Sequence, residues 1–447
     1  MIYTYVKLCI NTDKTYVRGI IKSEIMRKRR EKSKKAVFVV AIIFVVATLI
    51  LGCAQQQPPT QTPAQQQPPT QTPSPRPVLI CGALPLTGAL AKNAEKIKMA
   101  YEDWAEYINA HGGLLGRRVV LKIYDDEGDI TKGTELAEKC ITVDRCDFLL
   151  PWYEGHVSRA VMPIAEKHKM LYTGMGGHLQ SFQQGYEYVV CAPPLMGEWW
   201  FEGMGSFLQS LPQDERPKKA YIMTARLTIF DAVGTDIKQW LDKLGIPYKE
   251  EVYSLPLKSA DSLILNAKDY DADLLILNGL FPDGVLAMKA AIKYNYTPAF
   301  IFQSVGSPDP EWIGLLGSKG NYVFTGMAWY PNLPYEGNDL IVKTWKEKHA
   351  KKHGEQVPVY YGLGWCWIKT IEIGVKGAKS FDQTQVRDYL KSHTIHSPAG
   401  DFNIDRRGIP EPYNYLVQWQ NGKLELVWPP EVSTAKPLYP HPPWDKT

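Results

Sequence analysis

Between residues 78 and 303 the sequence alternates between short apolar runs and segments with helical periodicity, and no other feature constrains the fold as much. The first run, residues 78–83, closes at Pro85, and a helical face of apolar residues then extends from 94 to 110. Apolar runs joined by helices predict parallel strands in sheets covered by helices on both faces. The other predicted strands are 119–124, 148–150, 171–173, 220–224, 274–278 and 299–303, and the other predicted helices are 131–140, 157–168, 231–244 and 284–294.

The body of the chain, from about residue 77 to 440, is too long for one small core, and its alternations fall into two consecutive sets. We therefore predict an α/β fold of two Rossmann-like lobes, each with a parallel sheet flanked by helices. A small ligand in such a protein belongs at the carboxyl ends of the strands, in the cleft between the lobes.

The N-terminal region predicts where the protein works. A basic run at 27–35 leads into an unbroken apolar run at 36–51, followed by Gly52 and Cys53. This pattern is typical of a secretory signal. The Cys directly after a small residue resembles a lipoprotein signal, in which Cys53 is lipidated and becomes the mature N-terminus. The alternative is an uncleaved spanning helix, although the run is short for one.

Both interpretations place the body outside the cytoplasm, anchored to the outer face of the cell membrane. We assign residues 26–53 to the signal or anchor, and residues 1–25 to a possible mis-called extension, because Met26 directly precedes the basic run. Residues 54–76 contain a nearly repeated decamer rich in Gln, Pro and Thr. Such a composition cannot bury enough apolar surface to fold, so it predicts a disordered linker.

Charge and cysteine content exclude several classes of function. After residue 52 the chain carries 40 Lys and Arg against 44 Asp and Glu, a net charge of −4, which argues against nucleic-acid binding. The cysteines of the body form no CxxC pair, so a zinc or redox site is not indicated. Cys140 and Cys146 flank one helix-to-strand turn and are the favoured disulfide pair, with buried free thiols as the alternative.

Several motifs of the body are similar to those of a known family. Residues 82–88 (GALPLTG), residues 108–117 (INAHGGLLGR) and the pair Asp125-Asp126 resemble the N-terminal signature of type I periplasmic binding proteins of the leucine/isoleucine/valine and amide/urea group. Residues 163–166, 171–174, 279–282 and 417–419 continue the resemblance, which covers essentially all of residues 77–440.

The resemblance implies three crossover segments between the lobes, near residues 193, 328 and 396. Lobe 1 would then comprise 77–193 and 328–395, and lobe 2 would comprise 194–327 and 396–440. It implies an extracytoplasmic solute-binding protein of an ABC importer, which captures an amino acid, amide or apolar carboxylate by hinge closure. The implied partners are a membrane permease and its ATPase subunits. The chain is expected to be a monomer without cofactor, metal or catalytic residue.

The family's amino-acid binders hold the ligand carboxylate with hydroxyl groups on two lobe-1 loops, and here both loops lack them. Gly177 stands where a hydroxyl is expected, and Gln303 stands where the family has an acid for the ligand ammonium. The sequence therefore favours an aromatic or other apolar carboxylate, held by backbone N–H groups and a His. The candidate ligand-binding residues are Trp152, Tyr153, Glu154, Gly155, His156, Met175, Gly176, Gly177, His178, Phe230, Leu280, Phe281, Gln303, Ser304 and Trp329.

Other interpretations of these residues remain open at this level. A His in a loop is more often a solvated residue than a ligand group, whereas the Trp152-Tyr153 pair is a packing element as readily as a ligand wall. A hydrolase with His156 and Ser158 is disfavoured, because Ser158 lies within a predicted helix and no nucleophile elbow is present. A ligand-sensing receptor subunit of the same fold is the alternative function.

Overall fold

The computed structural model describes residues 75–88, 90–175, 179–192 and 197–447. The predicted extension at 1–25, the signal or anchor at 26–53 with Cys53, and residues 54–74 of the linker lie outside the described residues. So do Gly176, Gly177, His178 and the crossover position at residue 193. None of the described helices is both long and apolar enough to cross a bilayer.

The described strands form two main sheets with parallel cores. The first sheet has the order β2-β1-β3, with the parallel pair β4-β5 following it in sequence, and the second has the order β14-β13-β10-β9-β8-β6-β7. Strands β6 to β10 pair in parallel, whereas β13 and β14 are added antiparallel at one edge. The strands are β1 (Val78–Leu84), β2 (Val119–Asp125), β3 (Phe148–Leu149), β4 (Tyr172–Gly174), β5 (Val189–Cys191), β6 (Ala220–Ala225), β7 (Tyr248–Tyr253), β8 (Leu274–Asn278), β9 (Phe300–Gln303), β10 (Val323–Met327), β11 (Ile395–Ser397), β12 (Gly400–Phe402), β13 (Tyr415–Gln420) and β14 (Lys423–Trp428).

Helices follow most of these strands, so the predicted α/β class is confirmed. They are α1 (Ala91–Ala110), α2 (Ile130–Thr142), α3 (Gly155–Lys167), α4 (Glu202–Ser210), α5 (Thr228–Leu244), α6 (Asp261–Asp269), α7 (Phe281–Lys293), α8 (Glu311–Leu316), α9 (Asn338–Lys348), α10 (Ala350–His353), α11 (Val359–Ala378) and α12 (Gln383–Leu390). Short 3-10 turns lie at Leu179–Gln184, Gly197–Trp199, Gly317–Gly320 and Trp444–Lys446.

The second sheet is buried on both faces, as its continuous apolar strands predict. Ile222 and Ile276 point into one layer, which α4 and α5 close, whereas Met223 and Leu275 point into the opposite layer, closed by α6 and α7. Successive side chains of a strand alternate between the two faces of a sheet. Because both layers are apolar, central strands such as β6 and β8 carry apolar side chains at most positions.

The chain after β10 returns to the first sheet through α11, which packs against α1. Gly364 makes this close approach possible, because a Cβ atom there would lie 3.1 Å from the Ala100 Cβ and from the Ile97 Cα. The indole of Trp104 also donates to Glu372 across the same interface, at 2.9 Å. The predicted crossover positions at residues 328 and 396 fall at the end of β10 and within β11.

The predicted pairing of Cys140 with Cys146 is wrong. Cys140 is bonded to Cys81 of β1, with the two Cα atoms 5.6 Å apart, and Cys146 is a buried free thiol. The turn after α2 brings the backbones of Cys140 and Cys146 together through an N–H to carbonyl bond of 3.1 Å. The side chain of Cys140 instead lies on the face of α2 that packs over β1, where Cys81 lies opposite it.

Candidate functional site

The carboxyl ends of both parallel sheets carry the loops on which most of the predicted site residues lie. One set of loops follows β3 of the first sheet and β4 of the β4-β5 pair, and the other set follows β6, β8 and β9 of the second sheet. The two edges meet at one ion pair, in which Lys92 Nζ at the start of α1 lies 3.2 Å from Asp309 Oδ2 in the loop after β9. Ligands of such α/β folds bind at these edges, so we take this region as the candidate site.

Trp152 forms part of the floor of the first edge. It is fully buried, and its ring lies edge-on to Tyr172 at 6.2 Å between centroids. Gly82 in β1 leaves room for the indole, since a Cβ there would lie 2.9 Å from the Trp152 ring. Trp152 therefore packs beneath the loop after β3, and its contact with a ligand stays a prediction.

A buried acid lies beside this indole. Asp126 has no exposed surface, and one of its carboxylate oxygens accepts from the Gly128 N–H at 2.9 Å. Burial raises the pKa of Asp126 to about 6, and the nearby carboxylates of Asp125 and Glu154 contribute in the same direction. The sequence marked Asp126 only as part of a motif, because nothing in the linear pattern shows that it is enclosed.

Glu154 and His156 form an ion pair at the start of α3. Burial raises the pKa of Glu154, whereas the neighbouring His156 lowers it. The second ring nitrogen of His156 lies 3.1 Å from the carbonyl oxygen of Gly128. Both ring nitrogens of this predicted ligand group therefore already have protein partners. The side chain of Glu154 does not cap α3, so it accepts no hydrogen bond from the first N–H groups of the helix, which begins at Gly155.

Tyr153 belongs to an aromatic cluster that the sequence did not reveal in full. Its hydroxyl accepts from the Asn93 side chain at 3.3 Å. Its ring lies 5.4 Å from Tyr360 and 6.4 Å from Trp367, both on α11. Because α11 is separated from the β3 loop by some 200 residues of sequence, only the packing of α11 on α1 brings these rings together.

Gln303 and Ser304 shape the loop after β9. The Gln303 amide group donates to the carbonyl oxygens of Gly279 and Val305, at 2.9 and 2.8 Å, and thereby ties the loops after β8 and β9 together. The Trp200 indole donates to the carbonyl oxygen of Ser304. The Gln303 and Ser304 side chains are both fully buried, and their ligand-binding roles stay predictions.

Apolar side chains are exposed on the second edge. Leu280, directly before α7, is 37% exposed, and Leu227, directly before α5, is 45% exposed. Phe281 is half-buried and packs edge-on against Trp312 at 6.2 Å. Exposed apolar groups that lie together at the carboxyl edge of a sheet are candidates for contact with an apolar ligand. Leu280 and Phe281 are among the ligand-binding residues predicted from the sequence, whereas Leu227 is not.

Three predicted residues lie away from these exposed surfaces. Phe230 and Trp329 have no exposed surface and belong to hydrophobic cores, and the Trp329 indole donates to Asn338 at 2.7 Å. Met175 is buried in the core beside β1. The structure therefore does not bring Phe230, Trp329 and Met175 into the exposed walls, and their ligand-binding roles stay predictions.

The described residues with metal-ligand spacing are Cys81, Cys140 and Asp144. The two sulfur atoms of this group are joined in the disulfide bond and are not available as thiolate ligands. Asp144 accepts from Lys122 at 2.6 Å and from the Tyr124 hydroxyl at 2.8 Å, which accounts for both of its oxygens.

Comparison with known proteins gives one family and several relatives. A family model described as "Periplasmic binding protein" matches residues 77–423. A Leu/Ile/Val-binding protein homolog of Brucella melitensis is 22% identical over 373 residues, or 79% of this chain and 91% of that protein. A leucine binding protein from Thermotoga maritima has a TM-score of 0.64 at 18% identity, covering 78% of this chain and 97% of that one. A solute binding protein of an ABC transporter from R. palustris, in complex with benzoate, has a TM-score of 0.62 at 18% identity, covering 82% and 97%.

Proposed function

Because the chain belongs to the periplasmic binding protein family, whose members bind solutes and are not enzymes, we propose that it is the solute-binding component of an ABC importer. A small organic solute binds between the two edges, and its contacts with both lobes favour the closed state. The closed protein then delivers the solute to a membrane permease driven by ATPase subunits. The lobes follow the predicted division into 77–193 with 328–395 and 194–327 with 396–440.

The chemistry of the two edges supports an aromatic or aliphatic carboxylate as the solute. The exposed Leu227, Leu280 and half-buried Phe281 provide an apolar wall for its body. The start of α3, which the Glu154 side chain does not cap, provides N–H groups and a positive helix end for its carboxylate. This combination of an apolar wall and an uncapped helix start is the observation that carries the proposal.

An α-amino acid fits these edges less well, because three of the described acids near them, Glu154, Asp283 and Asp309, already have partners. Glu154 is paired with His156, and Asp309 with Lys92. Asp283 accepts from Tyr253 and from the Leu280 N–H, both at 3.1 Å. An ammonium group would have to break one of these bonds. The relatives include proteins described as leucine-binding and one solved with benzoate, so both ligand classes occur on this fold.

The N-terminal region supports an extracytoplasmic location on the membrane surface. We propose that Cys53 carries a lipid, with an uncleaved helix as the alternative, and that residues 54–76 form a flexible tether. The tether lets a monomeric body reach a permease in the same membrane. Labelling with a radioactive fatty acid tests the lipid, since the Cys53→Ser variant loses the label only if Cys53 is acylated.

A thermal-unfolding panel tests the ligand class. Benzoate, cyclohexanecarboxylate, leucine, isoleucine and the neutral amide benzamide are each added to the purified chain. At 100 times its Kd a ligand adds about 2.7 kcal/mol to the free energy of unfolding. We expect the two acids to raise the melting temperature, and benzamide, which lacks the charge, to do so much less. Stabilisation by leucine without stabilisation by either acid contradicts the ligand class. Turnover of a stabilising compound contradicts the binding function itself.

A further inference from the structure

The ion pair of Lys92 and Asp309 joins the first edge of the candidate site to the second. Lys92 is the second residue of α1, which follows the carboxyl end of β1, and Asp309 lies in the loop that follows β9. We infer that this pair is a latch that biases the two lobes toward closure before any solute is bound. The inference rests on the proposed function, because a latch matters only where the lobes open and close.

The position of Lys92 in its own helix gives the first support. A cation in the first turn of a helix is repelled by the positive end of the helix dipole. Lys92 is 73% exposed, so it does not fill a core either. Neither helix stability nor packing within its own lobe accounts for a lysine here, whereas a carboxylate on the opposite edge does.

The geometry of Asp309 gives the second support. One of its oxygens accepts from the Glu311 N–H at 3.0 Å, and the Trp312 N–H donates to its backbone carbonyl at 2.9 Å, so Asp309 is fixed at the start of α8. The other oxygen is the one that Lys92 reaches, at 3.2 Å. Because the acid is held in place whether or not Lys92 is near, only the lysine side chain loses freedom when the latch forms.

The exposure of the pair sets the size of the effect. Lys92 and Asp309 are 73% and 38% exposed, and exposed pairs contribute little and are screened by salt. We expect the pair to raise the ratio of closed to open molecules by about two- to fivefold at low salt. At about 1 M salt, where the Debye length is about 3 Å, the bias should largely disappear. A weak latch of this kind does not by itself hold a solute in the cleft. It raises the fraction of ligand-free molecules that are already closed.

Single-molecule energy transfer on the ligand-free chain tests the latch. Dyes attached at Lys289 of α7 and Lys346 of α9, each replaced by cysteine, report the separation of the lobes. We compare Lys92→Met, Asp309→Asn and the double variant. The asparagine keeps an oxygen for the Glu311 N–H, so α8 is preserved. The control is Lys98→Met, since Lys98 pairs with Glu102 on the same helix, at 3.7 Å and within one lobe.

The latch predicts that Lys92→Met and Asp309→Asn lower the closed fraction by the same factor, that the double variant lowers it no further, and that high salt removes the difference from wild type. An unchanged closed fraction in both single variants overturns the inference. With benzoate as the probe, both variants should weaken binding equally. Weaker binding by Lys92→Met together with tighter binding by Asp309→Asn would also overturn it, since Lys92 would then serve the solute. The two failures are distinguishable: failure of the latch appears as an unchanged closed fraction in the ligand-free variants, and failure of the proposed function appears as wild-type chain that binds no probe.

Discussion

Replacement of Asp236 by Asn should remove a large part of the pH dependence of stability in the second lobe. Asp236 is a buried residue of α5, and its carboxylate accepts from the N–H of Phe201, directly before α4. Burial raises the pKa of Asp236 to about 8, and the carboxylates of Glu202 and Glu198 act in the same direction, whereas the Phe201 bond opposes them. The folded protein therefore keeps a proton on Asp236 that the unfolded chain releases near pH 3.9.

The sign and size of the effect follow from this difference in pKa. When folding raises the pKa of an acid, that acid contributes its full stabilisation at pH values below its pKa in the unfolded chain. The contribution is lost as the pH rises toward its pKa in the folded protein. Within that window each pH unit costs about 1.4 kcal/mol, so the wild-type protein should lose roughly 3 to 4 kcal/mol of unfolding free energy between pH 5 and pH 8 from this group. The Asp236→Asn variant keeps an oxygen for the Phe201 N–H and cannot ionise. It should therefore escape this loss.

Urea unfolding at a series of pH values provides the assay. The difference in unfolding free energy between Asp236→Asn and wild type should grow steadily from pH 5 to pH 8. The matched control is Asp242→Asn, because Asp242 lies on the same helix and is exposed. Parallel pH profiles for wild type and Asp236→Asn would refute the account of Asp236 as a protonated buried acid.

Three further changes test the fold and the second edge. Reduction of the bond between Cys81 and Cys140, which closes a loop with a sequence separation of 59, should cost about 4 kcal/mol of unfolding free energy, and equal urea midpoints for the oxidised and reduced chains would contradict this. Gln303→Glu replaces a buried donor to two backbone carbonyls with an acid, so it should lower the free energy of unfolding by about 1–3 kcal/mol at pH 7 without creating affinity for leucine. Leucine binding by this variant in calorimetry would contradict this, because it would show that an acid at position 303 serves a ligand ammonium group. Gly364→Ala places a methyl group 3.1 Å from Ala100 and should lower stability by about 1–3 kcal/mol, whereas an unchanged melting temperature would show that α1 and α11 have room to separate.

The central strands were predictable from the sequence, and the edge strands were not. Strands such as β1 and β8 are covered on both faces, so they read as continuous apolar runs with turn residues at their ends. The edge strand β7 has the sequence YKEEVY, which is largely polar because its outer side faces water. It contains no apolar run that would predict a strand, and neither β7 nor β10 is among the strands predicted from the sequence.

The site was predictable as a location but only partly as a set of side chains. The loops after β3 and β8 follow the carboxyl ends of parallel strands, as strand order and direction require, and their contact with a ligand stays a prediction. Whether an aromatic side chain points into the cleft or into a core depends on packing that no local pattern encodes. Tyr153 and Phe230 are both aromatic residues at such ends, yet one meets Tyr360 of α11 and the other is enclosed in the second lobe.

The disulfide illustrates the same limit. Cys140 and Cys146 are close in sequence, and that closeness alone favoured their pairing. The partner that lies opposite the Cys140 side chain is Cys81, because α2 packs over β1. Sequence proximity could not reveal which face of α2 carries the sulfur.

Native mass spectrometry of the full chain, purified without added solute, tests the central claim most directly. The account predicts a single bound small molecule, released on unfolding and identified as an aromatic or aliphatic carboxylic acid. Recovery of leucine, valine or another α-amino acid from the folded chain would contradict the assignment of the two edges, where Glu154, Asp283 and Asp309 already have partners.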